Sequence, residues 1–457
     1  MFNEDICVRN SEGKFLFELP AVGALLLDLE HNEKSCTMNI PVCMKLKMPL
    51  DKAKLEKCVN DIIVKNDALR MSVHHDYRPD EFTDLIFDGK VGSEYKLWFR
   101  KEYEFKLVMV KAEGDNIDEK REDAKRIISE AANERIDVFN DVPFRLRVVE
   151  VADDENWIFL AVHHSLCDPP TLALLLKSIL GAYFAPASDE KAEVSTAYME
   201  HLDSLEKMKG SEKYDRTKAF WSETFKGFTA LKASRLSDGD SDGKDFQFML
   251  DKKKLSEVAK ANKTSVFNVA VLIFHLAFLI QYGSYDTALT YAFNARKDKS
   301  LAGVMGSFIE AVNSRVFMDK SQKIEDLHKI VRKAVADGVA NDSAETGCYS
   351  PLMLSYQELA AMGMQEDGAS SVLEPVSLEV PKLYAPGMGF TIMETADALC
   401  GNAVYNKEFF TSEVVWRFIE LFKELENIIS EQPYLTVGEL VEKFGASENS
   451  NCELIEI

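Results

Sequence analysis

The chain has 457 residues, 46% of them hydrophobic and 28% charged, which is the composition of a soluble globular protein of two or three domains. Its formal net charge of −22 argues against a nucleic-acid partner or an anionic membrane surface, because an acidic surface repels both. The eight cysteines form no Cys-x-x-Cys pair and no cluster with histidine, so the sequence predicts no metal site.

The start of the chain carries the acidic residues Glu4 and Asp5, where a secretory leader carries basic ones. The apolar stretch at 21–27 is too short to cross a bilayer. Together with the unclustered cysteines, these features predict a reduced, cytoplasmic protein without a membrane span.

Strand and helix patterns alternate along the chain, which predicts an α/β fold. In the first half the predicted elements are, in chain order, a strand at 39–47, a helix that starts at Asp51, a solvated helix at 118–135, a hairpin of strands 142–151 and 157–163, and a helix at 171–184. A polar stretch at 185–245 follows, and its acidic end at 237–244 predicts a flexible loop.

The second half repeats the alternation. Its predicted elements are, in chain order, a strand at 246–250, a helix at 252–262, a long apolar helix capped by Thr264 and ending at Gly283, strands at 288–293 and within 306–317, a helix at 322–338, paired strands at 390–394 and 401–405, and a helix at 412–429. We interpret the long apolar helix as a buried core helix and its His275 as a core histidine.

The most informative motif places two histidines and an acid, His163-His164-x-x-x-Asp168, at the end of the apolar strand 157–162. Imidazole is the side chain best suited to proton transfer near neutral pH, and general-base catalysis typically contributes about 10²–10⁴-fold. Such a base also needs its tautomer fixed by a hydrogen bond to its second ring nitrogen. No Cys–His or Ser–His triad is readable, so direct transfer is favoured over an acyl-enzyme, and Cys167 is interpreted as a packing residue.

The motif resembles the HHxxxDG motif of nonribosomal peptide condensation domains, in the chloramphenicol acetyltransferase-like superfamily. Further segments resemble that family in the same chain order, so the resemblance covers roughly residues 20–430. They are 65–71 ("RHExLRT"), 305–309 with 313–315 ("GxFVNTxxxR"), 350–352 ("NPL") and 401–406 with 409–410 ("GxxxYNxxLF").

The resemblance implies two acyltransferase-like lobes in a V, with the active site in a tunnel between them. It predicts an N-terminal lobe at 1–185, a linker with an acidic loop at 186–245, a C-terminal lobe at 246–445 and an acidic, frayed tail at 446–457.

The family's roles, carried over to this chain, make His164 the catalytic base, with His163 as a packing or orienting neighbour. Asp168 would be structural and pair with an arginine of the second lobe, either Arg296 or Arg315.

The chain departs from the motif at one position, because Pro169 replaces the family's glycine. Proline has no N–H and fixes φ near −65°, so a backbone donor for the tetrahedral oxyanion would be lost. Alternatively, the Pro169-Pro170 pair simply starts the next helix. We single out Pro169 and Ser307, in the second motif segment, as the motif-adjacent positions that bear on the oxyanion.

The leading hypothesis is a condensation-type acyltransferase that takes an acyl group from phosphopantetheine on a carrier protein to a small amine or hydroxyl compound. The alternatives are an acyltransferase that uses acyl-CoA directly, and a catalytically silent condensation fold that binds a partner protein. No tightly bound cofactor is expected, and no adenylation, carrier or thioesterase segment is recognisable, which predicts a free-standing protein. The sequence 252–254 or Arg296-Lys297 would be the local cationic cluster that docks the donor's phosphate.

Overall fold

The computed structural model describes residues 3–32, 38–74, 95–186, 193–234, 236, 246–342, 350, 352–358, 372–378, 387–445 and 452–456. The helices in this part of the chain are α1 (Ala21–Asn32), α2 (Lys52–Lys65), α3 (Ile117–Asn133), α4 (Pro169–Phe184), α5 (Ala197–Met208), α6 (Glu212–Thr224), α7 (Lys252–Ala261), α8 (Val266–Tyr282), α9 (Ile324–Ala340), α10 (Ser412–Glu431) and α11 (Val437–Phe444). The strands are β1 (Phe17–Glu18), β2 (Asn39–Leu46), β3 (Met71–His74), β4 (Lys96–Phe99), β5 (Val108–Lys111), β6 (Phe144–Ala152), β7 (Glu155–His163), β8 (Thr229–Ala233), β9 (Phe246–Leu250), β10 (Asp286–Asn294), β11 (Ile309–Phe317), β12 (Leu352–Glu358), β13 (Leu373–Pro375), β14 (Met388–Glu394), β15 (Leu399–Tyr405) and β16 (Cys452–Glu456).

The predicted alternation of strands and helices is confirmed, and with it the α/β fold class. The hairpin is β6 paired antiparallel with β7, and β14 pairs antiparallel with β15 as predicted. The helix starts also follow local chemistry: the Asp51 side chain accepts the Lys54 N–H at 2.9 Å and caps α2. The predicted flexible loop at 237–244 lies outside the described residues.

The long apolar helix is confirmed as a core helix, since every residue of α8 from Val269 to Gln281 is buried. Its N-cap is Ser265 and not the predicted Thr264, because the Ser265 hydroxyl accepts the backbone N–H of the third residue of the helix. The helix ends at Gly283, whose φ of 71° is the left-handed conformation that glycine adopts without steric cost.

The chain divides into two compact units that differ from the predicted lobes. Unit 1 comprises Met1–Met208, Asn294–Ile309 and Glu366–Leu383, and unit 2 comprises Lys209–Phe293, Glu310–Gln365 and Tyr384–Ile457. The predicted linker contributes α5 to unit 1 and α6 with β8 to unit 2, because these helices bury apolar residues such as Leu202 and Trp221.

Unit 1 is built on a five-stranded sheet of order β13-β2-β7-β6-β5, accompanied by a three-stranded sheet of order β1-β4-β3. Strand β7 pairs antiparallel with both β2 and β6, and all nine of its residues are buried. An interior strand without a solvent face explains the continuous apolar run in the sequence, which ends at the histidine pair.

Unit 2 is built on a six-stranded sheet of order β11-β10-β12-β14-β15-β9, with α8 and α10 in its apolar core. Part of the predicted frayed tail is ordered here: Cys452–Glu456 pairs antiparallel with Thr229–Ala233. Among the described residues no single helix is long and apolar enough to span a membrane. Within the described ranges, one pair of consecutive helices, α7 and α8, reaches that length and composition taken together, and the two are bent by 98° at their junction.

Candidate active site

The end of β7 places both histidines of the motif in a tight turn. The His163 N–H donates to the Pro143 carbonyl at 2.8 Å, and the His164 N–H donates to the Met38 carbonyl at 2.6 Å. The amide of Cys167 then returns to the His163 carbonyl at 2.9 Å and closes the turn. The backbone that carries His164 is therefore held by hydrogen bonds from both sides.

His163 is fully buried and makes a hydrogen bond with each ring nitrogen. Its Nε2 lies 2.9 Å from Oε2 of Glu30 in α1, and its Nδ1 accepts the Ser165 N–H at 3.3 Å. Because Nδ1 acts as an acceptor, we assign the neutral tautomer with the proton on Nε2, which donates to Glu30. His163 thus packs and orients within the turn, and sequence reasoning did not find its partner Glu30.

The Glu30 carboxylate is kept ionised by this arrangement. Burial acts to raise the pKa of Glu30, but the hydrogen bond from His163 and the Met38 amide at 2.8 Å together lower it below its usual value. The sequence signal for buried carboxylates was the pair of acids, Asp28 and Glu30, that follows the apolar stretch 21–27, since a buried acid needs a polar partner.

His164 keeps part of its surface accessible, whereas its Nδ1 atom is buried and makes no hydrogen bond of ordinary geometry to the described residues. Burial lowers the pKa of the His164 imidazole, and the charge of Asp168 opposes that shift only in part. The ring is therefore neutral at neutral pH, as a general base must be. The expected hydrogen bond that would fix its tautomer is not found among the described residues.

Asp168 pairs with Arg296 in a bidentate contact, whereas the alternative, Arg315, binds Asp286 through Nε at 2.9 Å. The Asp168 carboxylate is fully buried and also accepts the Thr171 N–H at 2.9 Å and the Phe308 N–H at 3.0 Å. Both carboxylate oxygens of Asp168 therefore accept hydrogen bonds. Through these bonds Asp168 caps α4 and holds residues 294–309, which contain Arg296 and are called the Arg296 segment below.

The Arg296 segment belongs to unit 1, which corrects the expectation that the arginine comes from the second lobe. Thr171 bridges it to α4, since its hydroxyl donates to the Gly306 carbonyl at 2.7 Å and accepts the Gly306 N–H at 2.9 Å. The guanidinium of Arg296 also lies 4.1 Å from the centre of the Phe308 ring. These contacts hold the segment 294–309 against α4 within the same unit.

Neither motif-adjacent position offers a free backbone donor for an oxyanion. Pro169 and Pro170 open α4 and carry no N–H, the Thr171 N–H donates to the Asp168 carboxylate, and the Asp168 N–H donates to the Gly306 carbonyl at 3.3 Å. The Ser307 N–H donates to the Tyr198 hydroxyl at 3.1 Å. Pro169 therefore starts the helix, as the second alternative expected, whereas the loss of an oxyanion donor at this position stays a prediction.

The segment 65–71 contributes to the site indirectly, because it holds the start of α5. The carboxylate of Asp67 accepts the backbone N–H of Tyr198 at 3.3 Å and of Met199 at 2.9 Å at the start of α5. The guanidinium of Arg70 is buried and donates to the carbonyls of Ile63 at 3.2 Å and Ser195 at 3.4 Å, among others. These residues position α5, whose Tyr198 holds Ser307, and neither contacts the histidine turn directly.

Three other sequence expectations are tested by the described contacts. His275 is a satisfied core histidine, with Nδ1 2.7 Å from the Thr287 hydroxyl and Nε2 3.1 Å from the Ser314 hydroxyl. Cys167 is buried, which raises the pKa of its thiol and leaves it an unreactive packing residue. In the cationic cluster at 252–254, Lys252 pairs with Glu394 at 2.9 Å and Lys254 lies 3.8 Å from Glu431.

Comparison with known proteins identifies the family of the chain. The family model described as Condensation domain matches residues 25–347, which is more than half of the chain. Bacitracin synthase 3 of Bacillus licheniformis is 24% identical over 317 residues, covering 67% of this chain and 5% of that protein. Surfactin synthase subunit 1 of Bacillus subtilis (strain 168) is 24% identical over 362 residues, covering 72% of this chain and 9% of that protein. The chain thus spans less than a tenth of the length of either relative.

Solved structures share the fold at low identity. The X-domain from teicoplanin biosynthesis aligns with a TM-score of 0.71 at 15% identity, over 92% of this chain and 96% of that one. The first condensation domain of the calcium-dependent antibiotic synthetase aligns with a TM-score of 0.64 at 14% identity, over 93% and 99%. The acyltransferase-like fold is confirmed, while the tunnel between its lobes stays a prediction. This chain belongs to the condensation-domain family of nonribosomal peptide synthesis.

Proposed function

We propose that the chain transfers an acyl group from a phosphopantetheine thioester on a carrier protein to an amine or hydroxyl acceptor, with His164 as general base. The relatives that support this proposal are peptide synthases, and the family joins acyl groups to acceptors. The single observation that carries it is the His164 ring, which is partly exposed at the end of a rigid, buried strand and neutral near pH 7.

The proposed chemistry is a direct displacement. The acceptor nitrogen or oxygen attacks the thioester carbonyl while His164 removes its proton, and a tetrahedral oxyanion forms. Collapse of that intermediate breaks the carbon–sulfur bond, and the proton held by His164 passes to the leaving thiolate. Placing both reactants beside one imidazole also supplies the entropic advantage of a bound pair.

The first turn of α4 contributes nothing to oxyanion stabilisation in this proposal, because its N–H groups are absent or engaged. Loss of one oxyanion donor typically costs about 10²–10³ in rate. We therefore expect slow turnover unless another group, outside the motif, binds the oxyanion.

An acyl-CoA donor is the second candidate. A mutant of the starter condensation domain of rhizomide synthetase, a structural relative with a TM-score of 0.67 at 11% identity, was solved in complex with C8-CoA. Lys252 and Arg296 are engaged in ion pairs, which argues against these two residues as ligands for the phosphate of either donor.

A silent binding fold is the third candidate. The X-domain from teicoplanin biosynthesis, with a TM-score of 0.72 at 15% identity, was solved in complex with OxyB. Pro169 and the engaged amides favour this reading, whereas the neutral, partly exposed His164 favours catalysis.

His164→Ala tests the three candidates. Product analysis with acyl-carrier and acyl-CoA donors should show transfer by the native chain that falls about 10²–10⁴-fold in the variant. His74→Ala is the matched control, because His74 is a partly exposed histidine at the end of β3, outside the site. Unchanged activity in His164→Ala would exclude the general-base role, and carrier binding without transfer by the native chain would favour the silent fold.

The pH dependence gives a second readout of the same proposal. Since burial lowers the pKa of His164 below 6.5, the ring protonates only on the acid side of that value. The rate should therefore stay constant down to about pH 6.5 and fall at lower pH, measured as kcat/KM against pH. A fall that begins above pH 7 would contradict His164 as the titrating group.

A further inference from the structure

Glu30 is buried, and a buried carboxylate destabilises the folded chain unless hydrogen bonds compensate for its loss of water. It is 7% exposed at the end of α1, on the helix that runs beside the histidine turn. Its two oxygens bind groups on two different segments: Oε2 faces Nε2 of His163 in the turn at 2.9 Å, and Oε1 accepts the N–H of Met38, the residue before β2, at 2.8 Å. Nothing in the motif itself requires an acid on α1.

Glu30 forms hydrogen bonds with two residues that both hold the backbone of His164. Met38 binds Glu30 through its N–H and accepts the His164 N–H through its carbonyl at 2.6 Å. His163, the covalent neighbour of His164, donates to the other oxygen of Glu30. One carboxylate therefore fixes His164 both through its preceding residue and through Met38, the residue before β2.

A second contact from α1 fixes the other side of the turn. Gly23 lies two helical turns before Glu30, on the same face of α1, and a Cβ at this position would lie 2.4 Å from the Ser165 carbonyl oxygen. The absence of a side chain lets the helix approach close enough for Glu30 to reach His163. The turn is thus held between α1 and β2 on either side of His164.

We propose that Glu30 is the positioning residue for His164, acting through His163 and Met38; this inference rests on the proposed role of His164 as the base. The carboxylate is needed because it only accepts hydrogen bonds, and both of its partners are donors. Glutamine would turn one oxygen into an N–H₂ group, which would face either the Met38 N–H or the His163 Nε2–H. If the N–H₂ group faced His163, the imidazole proton would have to move from Nε2 to Nδ1. The new Nδ1–H would then face the Ser165 N–H, so two donors would meet without an acceptor.

Glu30→Gln tests the proposal by kinetics. A misplacement of a catalytic group by about 1 Å can cost on the order of 10²-fold, so kcat should fall by about 10- to 100-fold with KM for both substrates little changed. Asp28→Asn is the matched control: it lies on the same helix, and its carboxylate accepts the Tyr95 hydroxyl at 2.7 Å, away from the turn. Equal losses of kcat in both variants would overturn the proposal.

A double-variant cycle separates positioning from general stability. If Glu30 acts through His163, Glu30→Ala should reduce kcat far less in a His163→Ala background than in the native chain. Additive losses in this cycle, with KM rising in parallel, would overturn the role assigned to Glu30.

A spectroscopic test is independent of turnover. Nitrogen chemical shifts of the labelled imidazoles should show His163 as the Nε2–H tautomer in the native chain and a changed tautomer or ring environment in Glu30→Gln. If the His163 spectrum changes in this way but the native chain has no transferase activity, the contact between Glu30 and His163 is supported and the proposed function is rejected. An unchanged His163 spectrum in Glu30→Gln would reject the contact itself, whatever the activity.

Discussion

At the residue scale, Asp168 is an architectural acid and not a proton carrier. Its carboxylate binds Arg296 on both oxygens and caps α4 through Thr171, so it has no lone pair left for a substrate. The contact also explains why the motif needs an acid four residues after the second histidine. At that position the acid caps the following helix and holds the segment 294–309 at the same time.

Asp168→Ala should destabilise the chain strongly, by about 3–5 kcal/mol, because it leaves the Arg296 guanidinium buried without its partner. The side chain of Arg296 is only 6% exposed, so water cannot replace the carboxylate. The measurement is the free energy of unfolding of the whole chain in urea. Asp168→Ala combined with Arg296→Met should recover part of the loss, and a single-variant cost below about 1 kcal/mol would contradict this account.

At the residue scale, one motif in the sequence named residues that lie close together in the structure. The motif identified His163, His164 and Asp168, and the same family pattern named Arg296 among two candidates. Glu30, Thr171 and Tyr198 were missed, because their roles come from contacts over long separations along the chain. A single sequence contains no distance information between such residues.

At the element scale, the sequence of α1 is determined at Gly23 by the close approach of its backbone to the histidine turn and not by helix propensity. Gly23 interrupts the apolar sequence of α1, where alanine would be the better helix former. Its backbone lies so close to the Ser165 carbonyl that a Cβ would require movement of the main chain. The glycine therefore marks the place where the helix meets the histidine turn.

Gly23→Ala should destabilise the chain although alanine is favoured in helices by about 0.8–1.0 kcal/mol. The reason is the 2.4 Å approach of the new Cβ to the Ser165 oxygen. Gly181→Ala in α4 is the control, since Gly181 is exposed and a Cβ there meets nothing within 4 Å. Thermal unfolding should show a lower Tm for the first variant and a slightly higher Tm for the second. A higher Tm for both would reject the close approach.

At the scale of the whole molecule, buried neutral histidines should make the chain sensitive to acid. Burial lowers the pKa of His275 to about 3 and the pKa of His328 to about 4, against 6.5 for an exposed ring. His328 is 3% exposed in the core of unit 2, and neither of its ring nitrogens has a hydrogen-bond partner among the described residues. Below pH 6.5 the unfolded chain therefore binds protons that the folded chain excludes.

Stability should fall as the pH is lowered from 6.5 towards 4. In this range the two histidines are neutral in the folded chain and take up protons when the chain unfolds, so acid favours the unfolded state. Near pH 5 these two histidines should contribute a slope of about 2–3 kcal/mol per pH unit in the free energy of unfolding. His328→Leu should reduce that slope by about half and stabilise the chain at pH 7, since it removes unpartnered polar atoms from the core. Urea unfolding at a series of pH values measures both effects, and an unchanged slope in the variant would contradict the buried, neutral state of His328.

The sequence by itself determined the α/β alternation, the buried strand that ends at His163, and the family to which the motif belongs. These features are local, because they follow from the periodicity of apolar residues and from residue spacing. Only the tertiary structure decided the boundaries of the two units, the return of 294–309 to unit 1, and the pairing of Cys452–Glu456 with β8. It also decided that Glu30 holds the turn and that no amide in the first turn of α4 is free. These outcomes depend on contacts between segments that lie far apart in the sequence and that bury each other's polar groups. The pattern of residues along the chain does not specify which segments meet.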